Sequence, residues 1–525
     1  MEKGKSNLGE SEEMSKSRKR KSLALKAALF ATGVSGIVAE YILSTLASYF
    51  IGNAILQFTL IVSIMLFAMG LGSRISKSFD KNLVFYFVLI ELILSVIVSF
   101  VAIISYLVYG FTDTSWIIIY LLSILVGLLI GLEIPFATRI NNEFEELRLN
   151  ISSILENDYY GSLIGGLFFA FVGLPYLGLT YTPFILGFIN LSVSFWMFLV
   201  LKEFLKPKQK QLLKVLYVIV TVGLLLGVYF AKPIIFFGEQ AKYADKIVYT
   251  TQTKYQKIVI TKWQDWHSLY INGNQQLSTF DEFMYHEPMV HTTLGLTKKK
   301  ENILVLGGGD GCIVRELLKY EAINNITLVD LDNKMIELGR NNEIFTDLNE
   351  NSLDSSKVKV VIQDAFTFLE KTNQIFDVIL VDLPDPNSVD LNKLYTKEFY
   401  RLSAKKLAKD GCFITQSGSP YYATKAFYCI DKTIKAAGLY TFPIHNQVLT
   451  LGEWSWVIAK KYPISKKEIQ AIDISKLKLK WLNKDALSLI SSFGKPLTDT
   501  TNIKVNTIFS PVLYTYYEKG NWNLY

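Results

Sequence analysis

From residue 23 to residue 231 the chain alternates long apolar runs with short polar turns. Each run approaches the roughly 20 residues that a helix needs to cross a bilayer, so the pattern predicts a multi-pass α-helical membrane domain of about seven helices. The predicted spans are Leu23–Phe50, Ala54–Ser73, Leu83–Tyr109, Ser115–Thr138, Tyr159–Leu179, Thr182–Leu201 and Leu212–Ala231.

Basic residues flank these runs on one side. Residues 1–22 carry the cluster Lys16–Lys21, and further basic residues fall in alternate loops at 74–81, 139–148 and 202–210. The positive-inside rule assigns this side, and with it the N-terminus, to the cytoplasm.

The pattern changes after about residue 243 to that of a soluble domain. Residues 232–300 are predicted to form a linker and a small β-hairpin domain, because strands at 257–262 and 268–271 precede the turn dipeptide Asn272-Gly273.

From Asn302 onward strands alternate with amphipathic helices, which predicts an α/β doubly wound, mainly parallel sheet of the methyltransferase-like Rossmann class over residues 301–462. Residues 463–525 are predicted to form a helical and irregular C-terminal extension. The predicted strands are 303–306, 326–331, 359–363, 377–381 and 412–416, and the predicted helices are 313–320, 334–341 and 366–370.

The composition and charge exclude several classes of protein. The 525 residues are 50% hydrophobic with a net charge of +7, which excludes a disordered or fibrous protein, and the basic excess lies beside the apolar runs rather than in a nucleic-acid patch. The three cysteines, Cys312, Cys412 and Cys429, lack the spacing of a disulfide framework or zinc knuckle, so we expect no structural metal.

The candidate chemistry begins with the glycine-rich loop 307–311, which follows a strand and precedes a helix. Such a loop lets backbone amides approach a ligand, and Asp330 at the end of the next strand is placed to accept hydrogen bonds from a ribose diol. Asp310 within the loop would repel a pyrophosphate, so a cationic ligand fits better.

Further acids follow later strands, namely Asp364, Asp382 and Asp385. With Asp310 and Asp330 they place five carboxylates along one edge of the sheet, which favours a site for a positively charged ligand. Helix capping explains any single one of them equally well.

The motifs of this half resemble the spermidine synthase (polyamine aminopropyltransferase) family, and the apolar half resembles its membrane-embedded variant. The similar stretches lie at 255–256, 270–276, 281–287, 305–311, 315–316, 363–365, 382–386 and 394–395. The resemblance implies transfer of a 3-aminopropyl group from decarboxylated S-adenosylmethionine to putrescine, which yields spermidine and methylthioadenosine. It implies no cofactor, since the decarboxylated donor is a co-substrate, and no catalytic metal.

The resemblance also implies residue roles. Asp382 matches the proton acceptor, His286, Asp310, Asp385 and Tyr285 match the amine-binding residues, and Gln256, Asp330, Asp364 and Ala365 match the residues that hold the nucleoside. Tyr285 and Tyr395 are equally compatible with ordinary core or lid positions. The chain departs from the family at Asn387-Ser388-Val389, where Gly-Pro is usual, and at Asp330, where Glu is frequent.

Two other functions are also compatible with these residues. A membrane-anchored methyltransferase that uses S-adenosylmethionine has the same fold, although Asp310 would then meet the carboxylate of the donor. A polyamine transporter or sensor without turnover is the second. The acids Glu40, Glu91 and Glu133 lie inside predicted spans, where we expect either ion pairing or headgroup placement, or a role in handling polyamine cations.

The expected partners are polyamine and nucleoside substrates and a lipid bilayer, with no nucleic acid, and the resemblance leaves room for a homo-oligomer. We expect the catalytic domain in the cytoplasm, where the donor is made, although seven spans that start inside would end outside. One span must then fail to cross, and the glycine-rich stretch Tyr159–Leu179 is the candidate re-entrant segment.

Overall fold

The structure is a computed structural model that describes residues 2–51, 54–112, 115–494 and 500–522. The chain divides into two compact units, Met1–Lys246 and Ile247–Tyr525. The first is built from helices and the second from two sheets with helices around them.

The first unit is a bundle of long helices that share an apolar interior. Helix α5 is extended by a π-helical turn at Phe169–Leu177 before the chain breaks at Gly178 and continues as α6. The helices are α1 Glu2–Ile51, α2 Ala54–Ile75, α3 Leu83–Phe111, α4 Ser115–Asn141, α5 Leu147–Phe168, α6 Gly178–Leu201 and α7 Pro207–Gln240.

Helix α5 runs parallel to α1. Gly161 packs so closely on Phe30 that a Cβ there would lie 2.0 Å from the Phe30 carbonyl oxygen, and four residues later Gly165 packs on Val34. These glycines let two helix backbones touch, so they serve packing rather than a break in the helix.

Helix α6 runs in the opposite direction. Its Gly187 carbonyl accepts a hydrogen bond from Ser95 of α3, while Ser194, two turns further along α6, donates to the carbonyl of Val88, which precedes Ser95. Helix α3 itself is parallel to α1, because Thr32 contacts Glu91 near the start and the rings of Phe50 and Tyr106 meet near the end.

The stretch Tyr159–Leu179 therefore runs along the bundle instead of turning back within it, and the expectation that it is re-entrant is wrong. Six helical stretches among the described residues are long and apolar enough to cross a membrane, and one of them, Arg148–Phe204, contains both α5 and α6. Because these two helices are antiparallel, that stretch passes along the bundle twice.

Helix α7 is antiparallel to α6, since Tyr217 contacts Ser194 and Gly227 contacts Phe184. It continues to Gln240, nine residues past the predicted end at Ala231. Its last turn therefore lies at the end of the bundle where α1 also ends, opposite the N-terminus.

The second unit contains a small antiparallel sheet in the order β1-β2-β3-β4 and a seven-stranded sheet in the order β10-β11-β9-β8-β5-β6-β7. Strands β9, β8, β5, β6 and β7 are parallel, and β11 and β10 extend the sheet in antiparallel fashion. The strands are β1 Lys246–Gln252, β2 Lys257–Trp263, β3 Trp266–Ile271, β4 Asn274–Ser278, β5 Asn302–Gly307, β6 Asn325–Asp330, β7 Val358–Ile362, β8 Phe376–Asp382, β9 Leu407–Gln416, β10 Tyr440–Val448 and β11 Gly452–Lys460.

Helices cover both faces of the large sheet, which buries apolar strands such as β5 and β8 almost completely. This confirms the predicted Rossmann-like class, with each predicted strand present and only its limits shifted. The helices are α8 Phe283–Gly295, α9 Cys312–Leu318, α10 Asn333–Asn341, α11 Glu343–Asn349, α12 Ala365–Lys371, α13 Val389–Asn392, α14 Lys397–Lys406, α15 Thr424–Ala436, α16 Lys466–Gln470, α17 Lys484–Ile490 and α18 Leu513–Glu518.

The C-terminal extension is tied to the sheet domain by a buried carboxylate. Glu287 of α8 accepts hydrogen bonds from the backbone amides of Lys480, Trp481 and Leu482 at 2.6, 3.0 and 2.8 Å. Three charge-assisted hydrogen bonds satisfy a carboxylate that burial would otherwise penalise strongly.

The close contact of α5 with α1 can be tested by Gly161→Ala. We expect the variant to lower the unfolding temperature of the detergent-solubilised protein, because the added methyl group must displace the Phe30 carbonyl, at a cost of about 1–3 kcal/mol. Gly223→Ala in α7 is the matched control, since its Cβ meets nothing within 4 Å and helix propensity favours alanine. Equal melting temperatures for the two variants would contradict the packing.

Candidate active site

The candidate site lies where the parallel strands β5, β6 and β8 end. In the register of the sheet Gly307 of β5 is paired with Asp382 of β8, and Asp330 ends β6 beside them. Gly307 has φ +83°, and a Cβ there would lie 1.8 Å from the Asp382 carbonyl oxygen, so only glycine lets the loop turn at this point.

Three predicted residues meet at the centre of the site. One ring nitrogen of His286 and one carboxylate oxygen each of Asp310 and Asp382 lie within 4.8 Å of one another. Asp310 is held by a 2.8 Å hydrogen bond from the backbone amide of Cys312 at the start of α9. Such a group of atoms can hold an ammonium group, and its donor types could also hold a divalent metal ion, so the absence of a catalytic metal stays a prediction.

Asp382 has a raised pKa. Burial raises its pKa to about 6, with Asp310 and Asp385 adding to the rise and the nearby His286 opposing it. The hydroxyl of Tyr285 donates a 2.6 Å hydrogen bond to Asp382 Oδ1, which fixes the carboxylate and also opposes the rise in its pKa.

Asp385 follows three residues later and is held at both oxygens. Gln416, the last residue of β9, donates to Oδ1 at 3.0 Å, and the hydroxyl of Tyr517 in α18 donates to Oδ2 at 2.6 Å. Tyr395 supports the same loop, because its hydroxyl accepts from Gln416 and donates to the carbonyl of Pro384. Burial raises the pKa of Asp385, and these hydrogen bonds oppose the rise.

His286 is oriented by a buried ion-pair network. Its Nδ1 lies 2.8 Å from Glu282, and both oxygens of Glu282 are bound by Arg315 at 2.9 Å. Burial lowers the pKa of His286, but Glu282, Asp310 and Asp382 outweigh it and raise the pKa above its ordinary value. Burial would raise the pKa of Glu282, yet His286 and Arg315 bring it down to about 2.

The predicted nucleoside residues lie along the next strands. Asp330 accepts from the amide of Asp332 at 2.9 Å, and burial raises its pKa to about 6. A Cβ at Gly309 would lie 2.7 Å from Asp330 Oδ2, so the glycine-rich loop passes directly over this carboxylate. Gln256 belongs to the turn whose Thr253 hydroxyl donates to Asp332, which brings that turn to the same end of the site.

Asp364 confirms the capping interpretation, while its place in a nucleoside site stays a prediction. Its Oδ1 accepts from the amide of Thr367 and caps α12, which begins at the buried Ala365, while its Oδ2 pairs with Lys393 at 2.9 Å. Burial would raise the pKa of Asp364, but Lys393 and the capping hydrogen bond lower it. Its hydrogen bonds are thus largely committed within the protein.

Sequence reasoning missed four residues that contribute to this site. Gln416 ends a predicted strand and could have been found by the same rule that found the acids. Glu282 and Arg315 lie in the motifs described above, but no local signal shows that they pair. Tyr517 comes from the C-terminal extension, which carries no pattern that points to the sheet.

Comparison with known proteins agrees with this geometry. Residues 282–471 match the spermine/spermidine synthase domain. Polyamine aminopropyltransferase 2 of Aquifex aeolicus is 44% identical over 95% of this chain and 99% of its own length. A polyamine aminopropyltransferase of Leptospira interrogans is 38% identical over 93% and 96%.

A solved spermidine synthase in complex with the transition-state analogue AdoDATO is 25% identical, with a TM-score of 0.43, and covers 47% of this chain and 86% of its own. The Aquifex and Leptospira relatives extend over the helical bundle as well as the sheet domain. The fold and the group of acids at its sheet edge define an aminopropyltransferase. The chain belongs to the polyamine aminopropyltransferase family.

The contact from the C-terminal extension predicts a kinetic effect. Tyr517→Phe removes the hydrogen bond to Asp385 Oδ2, so we expect the KM of the amine acceptor to rise about tenfold while the KM of the donor stays unchanged. Tyr514→Phe, in the same helix, is the matched control. A parallel rise in both KM values would assign Tyr517 to general stability instead.

Proposed function

We propose that the protein transfers a 3-aminopropyl group from decarboxylated S-adenosylmethionine to putrescine, giving spermidine and methylthioadenosine. The observation that carries the proposal is the meeting of His286, Asp310 and Asp382 within 4.8 Å at the edge of the sheet. Among the described residues no lysine or arginine pairs with Asp310, Asp382 or Asp385, so His286 is the cationic side chain beside three carboxylates and a cationic substrate would meet an excess of negative charge.

Asp382 is proposed as the general base. A primary amine has a pKa of about 10.4 and must lose a proton before its lone pair can attack. Asp382 takes that proton, the amine nitrogen bonds to the methylene carbon next to the sulfonium, and the carbon–sulfur bond breaks with its electron pair passing to sulfur. The sulfonium thereby becomes the neutral thioether of methylthioadenosine.

The raised pKa of Asp382 makes this proton transfer less costly. Its pKa of about 6 lies above the ordinary value, with burial as the largest cause, so this carboxylate is a stronger base than an exposed aspartate. The rest of the rate comes from holding nitrogen, carbon and sulfur in line.

The remaining residues are proposed to position the two substrates. Asp310 and Asp385 bind ammonium groups, with His286 and Tyr285 lining the amine end. Asp330 holds the ribose hydroxyls, while Asp364 and Ala365 meet the adenine edge and Gln256 the nucleoside side of the donor. No resident cofactor takes part.

The test of the base is Asp382→Asn. We expect methylthioadenosine release to fall about 10²–10⁴-fold with donor binding retained, because the nucleoside contacts are untouched. The wild-type rate should also fall below pH about 6, where the Asp382 carboxyl is protonated and can accept no proton. The measurement is chromatographic quantification of methylthioadenosine across the pH range.

Asp390→Asn, an exposed acid in the following helix, is the matched control and should keep wild-type rates. Near wild-type turnover by Asp382→Asn would remove the base assignment. Release of S-adenosylhomocysteine from S-adenosylmethionine would instead favour a methyltransferase.

The helical bundle is proposed to lie in a bilayer. Its helices expose large apolar side chains, among them Phe67, Phe111 and Tyr229 at 69, 71 and 76%. Exposure of this extent is costly in water and favourable against lipid.

We further propose that the catalytic unit faces the cytoplasm, where its donor is made and where its three free, buried cysteines stay reduced. Because α7 ends opposite the N-terminus, this arrangement places the basic residues of the other end outside, against the usual charge bias. We give more weight to the cytoplasmic supply of the donor than to this bias in the distribution of basic residues.

A reporter fused after Tyr525 tests on which side of the membrane the catalytic unit lies. We expect a cytoplasm-active fluorescent reporter to be bright and an alkaline phosphatase fusion, which needs an oxidising compartment, to be inactive. The reverse pair of results would place the catalytic unit outside and require an external supply of donor. A fusion ahead of Met1 serves as the internal control and should give the opposite result.

A further inference from the structure

Three carboxylic acids meet inside the helical bundle, far along the chain from the active site. They are Glu91 of α3, Glu133 of α4 and Asp158 of α5, of which the first two are fully buried and the third nearly so. Thr32 of α1 donates to Glu91, and the residues after it contact the helices of the other two acids, Gly33 the backbone of Asp158 and Gly36 the side chain of Ile130, which precedes Glu133 by one turn. The ion pairs of the bundle among the described residues join Lys21 to Glu203 and Lys26 to Glu145, so these acids have no fixed cation.

The hydrogen bonds of the acids are incomplete. Thr32 of α1 donates to Glu91 Oε1 at 3.2 Å. Glu91 Oε2 and both oxygens of Glu133 accept no hydrogen bond of good geometry among the described residues, although Thr32 also lies close enough to Glu133 to interact with it. A buried oxygen left in this state costs about 1–3 kcal/mol, and more when it is charged, so three of them together call for a donor.

The side chain of Asn190, which lies at the same height in the bundle as Glu91, also has an unpaired polar atom. Helices α3 and α6 contact each other at Ser95 with Gly187 and at Val88 with Ser194. Glu91 lies between these two contacts on α3, and Asn190 lies between them on α6. The register therefore places Asn190 opposite Glu91. Asn190 is fully buried, its Oδ1 accepts from Ser35, and its Nδ2 has no partner among the residues described. Asn190 Nδ2 is itself a donor, which an ammonium group cannot satisfy, so the unpaired acceptors of Glu91 and Glu133 are the atoms that indicate a bound donor.

We propose that this polar cluster, formed by Thr32, Glu91, Glu133 and Asp158, binds one ammonium group of a polyamine inside the bundle. An ammonium group has three N–H donors and no acceptor, which matches the unpaired carboxylate oxygens of Glu91 and Glu133. The choice of an amine over a metal cation rests on the proposed function, which makes polyamines the substrates and products of this chain.

The experiment is equilibrium dialysis of the purified full-length protein in nanodiscs against radiolabelled spermidine. Wild type should bind two equivalents per chain, one in the catalytic unit and one in the bundle. Glu133→Gln and, separately, Glu91→Gln should bind one. Glu40→Gln is the matched control, since it removes a carboxyl group from α1 two turns away from Thr32, and it should still bind two.

Methylthioadenosine release, measured on the same preparations, separates this inference from the proposed function. Unchanged release by Glu133→Gln, with one equivalent lost, shows a folded protein and supports the bundle site. The inference would be overturned if both variants still bound two equivalents, or if wild type bound only one. It would also be overturned if sodium or potassium ions alone displaced the spermidine bound in the bundle. Absence of release from wild type would refute the proposed function, whatever the stoichiometry of binding.

Discussion

The site depends on one buried ion pair, Arg315 with Glu282. Arg315 binds both oxygens of Glu282 and so links the start of α8 to α9, and it shares Glu316 with Lys319 and His291. Removing either partner would leave an unpaired buried charge at a cost of about 3–5 kcal/mol. Glu282 in turn holds His286 in place one helical turn later.

This pairing decides the charge of the site. Because Arg315 is committed to Glu282 and Glu316, His286 is the cationic side chain that lies beside Asp310 and Asp382. Burial is the largest cause of the raised pKa of Asp382, and the neighbouring acids Asp310 and Asp385 add to it. In the proposed reaction, this excess of buried acids would attract an ammonium group and the raised pKa would help Asp382 to accept its proton.

Much of the sheet domain could be predicted from the sequence, because apolar strands of about five residues between amphipathic helices have few other folds open to them, and the acids at their ends share one edge. Contacts between segments that lie far apart in the sequence could not be predicted. Nothing near Tyr517 indicates that it reaches Asp385, and nothing near Arg315 names Glu282 as its partner.

The bundle shows the same limit. The glycines of Tyr159–Leu179 indicated a broken helix, whereas Gly161 and Gly165 are the surface on which α1 packs. A pattern read along one helix contains no information about the helix opposite, so a glycine that weakens a helix and a glycine that admits a neighbour look alike.

The position of Tyr517 has a consequence for limited proteolysis. Tyr517 lies 132 residues after Asp385 in the chain and still donates to its Oδ2. Cleavage between the sheet and α18 would therefore leave the strands and their acids in place, while Asp385 would lose one of the two side-chain donors that hold it. A nicked chain would keep the fold of the sheet with a less ordered carboxylate at the proposed amine end.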